Sequence, residues 1–143
     1  MDHVWSVLCL KASIDRETNN ISLFDVVEQI QVLPQRESGG VVGPFELVSL
    51  WTRSVGVPER GEVRVSIRGP SGHLYAQEMQ EIDLREFRRM RARFRVAGIA
   101  IEGPGTYHFS VEVRPANSES WTEVAKIPLE VEEMRSTPQR ARF

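Results

Sequence analysis

The fold is decided by the stretch Gly103-Pro104-Gly105-Thr106-Tyr107-His108-Phe109-Ser110-Val111-Glu112-Val113. A Gly/Pro turn opens it, and apolar and polar residues then alternate strictly. Successive side chains of a strand point to opposite faces of a sheet, so this period of two predicts a β-strand with one buried face and one wet face. The residues expected on the buried face are Tyr107, Phe109, Val111 and Val113.

The same alternation recurs along the chain. Apolar segments at Val4 to Ile14 and Ile21 to Leu33 flank a polar turn, which predicts a long antiparallel hairpin. Glu37 to Pro44 is predicted to be a loop, and Phe45 to Trp51 a third strand. A second hairpin is predicted where alternating residues lead through the tight turn Gly69-Pro70-Ser71-Gly72.

One short helical turn is predicted between Asp83 and Arg89. Asp83 and Glu86 resemble a capping box, and Leu84 and Phe87 fall at helical spacing. From Arg89 onward the period of two returns and predicts another strand.

The last predicted strand contains a proline. Ala125, Ile127, Leu129 and Val131 alternate with polar residues there. Pro128 lacks the N–H group that a sheet ladder needs, so we expect a sheet edge or a bulge at this strand. Residues 135–143 are basic and aperiodic, and we expect them to be a disordered tail after a single domain over residues 1–134.

Together these patterns predict an all-β fold, a two-sheet antiparallel sandwich of roughly seven or eight strands. The turn before Tyr107 resembles the corner of Ig-like sandwiches, in which a tyrosine hydroxyl bonds to upstream backbone. We therefore expect an Ig-like or C2-like arrangement. The Tyr107 hydroxyl should be satisfied near Gly103 to Gly105.

Composition limits the classes of function. The formal charge of −2 provides no global field for nucleic acid or anionic membrane, and no stretch approaches the ~20 apolar residues of a membrane span. The start Met1-Asp2-His3 lacks the basic and apolar regions of a signal peptide. A lone cysteine, Cys9, lies in an apolar run, so we expect a buried thiol and a cytoplasmic protein.

Catalytic chemistry is not indicated. His3, His73 and His108 lie far apart in sequence, with none of the spacings of a metal site. Acidic residues are too sparse in the loops for calcium, and no phosphate-binding glycine loop precedes a helix. We expect no catalytic residue, no metal and no cofactor, and interpret the protein as a non-enzyme.

An arginine-rich strand is the strongest candidate surface. Arg89, Arg91, Arg93 and Arg95 share one strand face at a repeat of ~6.6 Å, close to the spacing of nucleic-acid phosphates. This pattern is typical of a surface for an anion, for nucleic acid or for an acidic partner.

The alternative is a salt-bridged sheet face. Glu112, Glu130 and Glu132 occupy wet positions of later strands and are predicted to pair with these arginines, each pair adding ~0.2–1 kcal/mol. No aromatic residues are interleaved with the arginines, which disfavours single-stranded nucleic acid. Nucleic-acid binding is therefore the less favoured interpretation.

Tryptophans offer a second candidate surface. Trp51 is predicted to be core, whereas Trp5 and Trp121 are candidate surface anchors of the kind that a sugar-binding module presents.

Three stretches carry a further resemblance. They are Leu8 to Asp15 leading into Ile21 to Glu28, Val65 to Gly72, and Ile99 to Phe109. Together they are similar to a family of small, uncharacterised bacterial β-sandwich proteins, known only as a domain of unknown function. The resemblance implies a sandwich over most of residues 4–132 and supplies no catalytic residues.

The expected function is therefore a non-enzymatic module that binds an unknown protein partner. A carbohydrate-binding or small-ligand module using Trp5 or Trp121 is the alternative. A weak homodimer through exposed edges of the first and last strands is also predicted.

Overall fold

The computed structural model describes residues 1–33 and 40–134, and in these residues every regular element is a strand. Within this part of the chain no helix is long and apolar enough to cross a membrane. The strands are β1 (Asp2–Ile14), β2 (Ile21–Val26), β3 (Gln29–Val32), β4 (Gly40–Val42), β5 (Phe45–Thr52), β6 (Glu59–Arg68), β7 (Leu74–Leu84), β8 (Arg89–Val96), β9 (Ile99–Ile101), β10 (Gly105–Pro115) and β11 (Thr122–Glu133).

Two larger sheets carry the fold. The four-stranded sheet has the order β2-β1-β5-β8, and the five-stranded sheet has the order β3-β11-β10-β6-β7. A small two-stranded sheet joins β4 and β9. The predicted all-β, sandwich-like class is confirmed, but the described residues form eleven strands in three sheets where seven or eight strands in two sheets were predicted. One pairing departs from the antiparallel prediction, because β3 runs parallel to β11.

The strand that decides the fold has the predicted faces. Tyr107, Phe109, Val111 and Val113 are buried, and the polar residues between them are half-buried. Their side chains join one apolar core with residues of both larger sheets. Trp51 on β5 belongs to this core, as predicted, and its indole N–H donates to the Ser49 hydroxyl at 2.8 Å.

The predicted tyrosine corner is confirmed. The Tyr107 hydroxyl donates to the carbonyl of Gly103 and accepts from the backbone N–H of Glu102, both at 2.8 Å. The Glu102 carboxylate accepts from the N–H and the hydroxyl of Ser71, at 2.7 and 2.8 Å. This carboxylate therefore joins the turn after β6 to the turn before β10.

The first hairpin forms between β1 and β2, but the second apolar segment does not continue as one strand. Asp25 adopts a φ of 54°, and the Val27 N–H donates to the Leu8 carbonyl at 2.9 Å as Val27 enters the core. Beyond this bend, β3 joins the five-stranded sheet. A bend that buries Val27 therefore carries the chain from one sheet to the other.

The predicted helical turn after β7 is wrong, because the chain bends there instead. Asp83 Oδ1 accepts from the backbone N–H of Arg85 at 3.0 Å, and this local bond competes with a helical one. Arg53 Nε donates to the carbonyl of Leu84 at 2.5 Å and to a second carbonyl of the bend at 3.2 Å. A distant arginine thus satisfies the carbonyl groups that a helix would have used.

The loop predicted at Glu37 to Pro44 is wrong in its described part, since Gly40–Val42 form β4 against β9. Residues 37–39 and the tail at 135–143 lie outside the described residues. Pro128 fits its prediction locally, because β3 covers only residues 130–133 of β11 and leaves Pro128 with one neighbouring strand, β10.

Candidate interaction surface

The arginine strand, β8, forms an edge of the four-stranded sheet. Ala92, Phe94 and Val96 are buried in the core, so the alternate arginines lie on the outer face. The N–H of Arg53 donates to the carbonyl of Arg88 at 3.1 Å, which continues the β5–β8 register by one pair. Because hydrogen-bonded pairs alternate along antiparallel strands, the peptide groups of the odd-numbered β8 residues face away from β5.

Arg93 lies in a largely buried ion pair on this outer face. Its Nε donates to Glu46 Oε1 at 2.6 Å, and its terminal nitrogen donates to the Ala12 carbonyl at 3.1 Å. The other Glu46 oxygen accepts from the Ala12 N–H at 3.0 Å. Burial raises the pKa of Glu46, but the bonds from Arg93 and Ala12 outweigh burial and hold that pKa below its usual value.

Cys9 lies beside this pair and is fully buried, as expected. Its thiol donates to the Glu46 carbonyl at 3.4 Å. Burial, and then the nearby Glu46 carboxylate, raise the pKa of Cys9. A protonated thiol at this position is a poor nucleophile.

Arg91 contacts the tip of the first hairpin. Its guanidinium donates to the backbone carbonyl of Asn19 at 2.6 Å. Below the tip, Ile21 and Leu23 of β2 pack against Val48 of β5 in a second, smaller apolar cluster. The distal part of the hairpin therefore lies over the outer face of the four-stranded sheet, and two arginines of β8 fasten it there.

Arg89 and Arg95 have a different environment. Both are exposed, and neither forms an ion pair with any residue that the structure describes. Arg95 lies opposite Glu46 in the β5–β8 register, and Arg89 lies opposite Thr52. These two guanidiniums are the ones that β8 presents to solvent.

The predicted pairing of the β8 arginines with later glutamates is wrong. Glu112, Glu130 and Glu132 lie on the five-stranded sheet, which does not contain β8. Glu112 pairs with Arg64 at 2.7 Å, and Glu130 accepts a bond from a threonine at 2.7 Å. The alternation of apolar and polar residues correctly placed these glutamates on solvent-facing sides of their strands, but it carries no information on which sheet a strand joins.

Trp121 lies on the five-stranded side beneath two cations. The guanidinium carbons of Arg64 and Arg114 lie 4.2 and 4.6 Å from its ring centre. Trp5 lies on the four-stranded sheet, half-buried against the cluster of Cys9 and Val48. The two tryptophans therefore do not share one platform.

A cleft opens between the edge strands β7 and β8. It has a volume of about 140 Å³ and is lined by buried core residues, Val65 and Ile67 from β6 and Phe94 and Val96 from β8. Ala76, Gln77 and Glu78 of β7 form its other side. The cleft therefore ends on the apolar core, whose residues at its floor are at most 8% exposed.

Gln80 is the one inward-facing side chain of β7 seen to bridge this opening. Its amide nitrogen donates to the Arg93 carbonyl, a group on the free edge of β8. A larger depression of about 410 Å³ lies nearby, lined by polar residues that include Arg60, Glu62 and Glu81. We favour the smaller cleft because it reaches the core.

The hydroxyls of Ser71 and Tyr75 both donate to the Glu102 carboxylate, beside His73. No group of three or more His, Cys, Asp or Glu that could hold a metal ion occurs in the described residues. His3 bonds to Ser6 at 2.7 Å, His73 packs on Tyr75, and His108 lies on β10.

Parts of the first and last strands have only one neighbouring strand, as the prediction for self-association requires. β1 pairs with β5 from Asp2 to Cys9 and with β2 only from Cys9 onward, so β1 has one neighbouring strand at Trp5. β11 has neighbours on both sides at its C-terminal end. The weak homodimer stays a prediction, and the edge strands β2, β3, β7 and β8 are open to it besides these parts of β1 and β11.

The sequence comparisons identify no relatives. No family model matches the chain, and no curated protein matches it.

Proposed function

We propose that the protein is a non-enzymatic interaction module that binds a protein partner at the open side between β7 and β8. The cleft carries this proposal, because it reaches down to the buried core between two strands that each have only one neighbour. Unpaired strand edges present N–H and C=O groups that bind extended segments of other chains. Apolar pockets beside such an edge provide specificity.

The proposed fold type and the proposed cellular location each rest on one observation. The corner at Tyr107 supports an Ig-like or C2-like arrangement, and the single buried thiol of Cys9 supports a cytoplasmic location. The similarity to small bacterial β-sandwich proteins is retained as a proposal on the stretches that suggested it.

The alternative functions have less support. A carbohydrate platform needs accessible aromatic rings side by side, but Trp5 lies on the four-stranded sheet and Trp121 directly before β11 of the five-stranded sheet. Nucleic-acid binding by the arginine strand loses two of its four cations, since Arg93 and Arg91 bond within the chain.

A display library of peptides from a bacterial proteome tests the proposal. We expect the immobilised protein to select extended segments, and Ala76→Trp, which fills the cleft, to abolish their selection. Ala116→Trp is the matched control, because Ala116 is exposed in the turn after β10. Selection that is the same for both variants, or no selection by the wild-type protein, contradicts a binding site in this cleft.

A further inference from the structure

We propose that the segment bound at the open side adds to β8 as an extra strand with acidic residues at alternate positions and apolar residues between them. This inference rests on the proposed function and names the chemistry of its partner. Three features of β8 support it: its free backbone groups, its exposed arginines and the cleft beside it.

The backbone of β8 is arranged to receive a strand. The peptide groups of Arg89, Arg91 and Arg95 point away from β5, and β7, which lies close to β8 on that side, forms no backbone pairs with them. The carbonyl of Arg93 is the exception, since it accepts from Gln80. A bound segment would replace this single side-chain bond with a ladder of main-chain bonds.

The charge of β8 selects the partner. On the β5 side, Glu46 already lies opposite Arg95 and bonds to Arg93. On the free side, Arg89 and Arg95 have no carboxylate partner among the described residues. Directly opposed residues of opposite charge stabilise neighbouring strands, so acidic side chains on the outer face of an added strand fit these positions.

The cleft determines which residues fit between the acidic positions of the bound segment. Side chains alternate across a strand, so those between the acidic residues would point toward the core side. There they would meet Phe94 and Val96 on β8 and Ala76 on β7. The volume of about 140 Å³ suits one or two apolar side chains, and Glu78 beside it disfavours acidic ones.

The same arginines have a second explanation. Charged residues on edge strands prevent unwanted pairing with other chains, and β8 would then be a protected edge without any partner. The two explanations differ in one observable. A protected edge rejects every strand, whereas a binding edge accepts an acidic one.

Titration of the isotope-labelled full chain with two synthetic peptides distinguishes them. One peptide alternates Glu with Val, the other alternates Lys with Val, and the backbone amide signals of β8 report on binding. We expect the Glu–Val peptide to shift the amides of Arg89, Arg91 and Arg95 and to bind more weakly as salt is added. The Lys–Val peptide should leave these signals unchanged.

Two matched double variants test the role of charge. Arg89→Gln/Arg95→Gln should raise the dissociation constant of the Glu–Val peptide about tenfold, from two lost cross-strand pairs. Lys11→Gln/Lys126→Gln removes the same charge from exposed positions on other strands and should change the constant less than twofold.

Several outcomes overturn the inference. A Lys–Val peptide that shifts the β8 amides would leave the open side as a binding site and refute only its acidic partner. If both double variants weaken binding of the Glu–Val peptide equally, the peptide responds to the net charge of the protein and not to the arginines of β8. Single-stranded DNA that binds β8 in preference to the Glu–Val peptide would assign the arginines to nucleic acid. If neither peptide affects β8, the edge is a protected one, and the display experiment decides the proposed function separately.

Discussion

The outer faces of the two larger sheets carry similar ion pairs in different surroundings. On the four-stranded sheet, Arg93 and Glu46 lie 2.6 Å apart, with side chains 26% and 7% exposed. On the five-stranded sheet, Arg114 and Glu62 lie 3.0 Å apart, with side chains 30% and 42% exposed. The carboxylates therefore differ much more in burial than the arginines do.

Backbone contacts separate the two pairs further. Glu46 and Arg93 bond to the N–H and the carbonyl of Ala12 and so connect the first hairpin to β5 and β8. Glu62 and Arg114 join neighbouring strands that are already paired in one sheet. Two ion pairs of similar geometry therefore have different roles. The Arg93–Glu46 pair holds the first hairpin in place, whereas the Arg114–Glu62 pair adds one contact between strands that the backbone already pairs.

The largest expected effect comes from the buried carboxylate. Glu46→Gln leaves the Arg93 guanidinium without a countercharge and should lower the free energy of unfolding by about 3 kcal/mol. Glu62→Gln, the same change at the exposed pair, should cost less than ~1 kcal/mol. Urea denaturation measures both. Equal costs would show that burial does not separate the two faces.

Protonation of Glu46 at low pH should lower the free energy of unfolding less than Glu46→Gln does, because the protonated carboxyl can still accept hydrogen bonds. The pKa of Glu46 lies below its usual value in the folded protein, so its ionised form stabilises the fold above the unfolded pKa of ~4.3. That contribution is lost as the pH falls through the folded pKa. The difference in stability between wild type and Glu46→Gln should therefore narrow below about pH 4.

Denaturation of both proteins from neutral pH to pH 3 or so checks this. Glu62→Gln, the same substitution at the exposed ion pair, is measured in parallel as the reference variant. A wild-type advantage that stays constant over this range would mean that Glu46 contributes through packing and not through its charge.

The hairpin tip offers a third, smaller test. Arg91→Ala removes the bond to the Asn19 carbonyl and should cost about 1 kcal/mol. Hydrogen exchange should accelerate at the amides of Asp15 and Asn19, which bond within the tip. Arg16→Ala, at an exposed position of the same turn, is the control. Unchanged exchange in Arg91→Ala would show that the tip holds its position without β8.

The smallest effect is the coupling within the exposed pair. A double-mutant cycle with Arg114→Ala and Glu62→Ala should give about 0.5 kcal/mol, reduced by added salt. Because Arg114 also covers the Trp121 ring, its single variant should cost more than that of Glu62. A coupling of several kcal/mol would make the two faces equivalent and remove the contrast between them.

Local patterns predicted the parts of this fold that depend on local physics. The alternation from Tyr107 to Val113 correctly assigned a buried face, since strand geometry alone sets which side chains share a face. The tyrosine corner was also predictable, because its hydroxyl bonds only four residues upstream, to Gly103. The helical turn after Asp83 failed because Arg53, far away in sequence, satisfies the carbonyls of that bend.

The candidate surface was predicted in composition but not in its contacts. The pattern identified the four arginines of β8, and their face is the outer one. It assigned them Glu112, Glu130 and Glu132, whereas the carboxylate that β8 bonds is Glu46 on the adjacent strand β5. Glu46 has one signal in the sequence, since it is the lone charge in the apolar run of β5.

By itself, the sequence determined the longer strands, the faces of most of them and the tyrosine corner, because these follow from side-chain alternation and contacts between near neighbours. Only the tertiary structure decided which strands share a sheet, that β8 is an edge and that a cleft lies beside it. Strand order depends on contacts between distant segments, and alternation is the same whichever neighbour a strand acquires. The division of the arginines into two that fasten the hairpin and two that face solvent arises from that order.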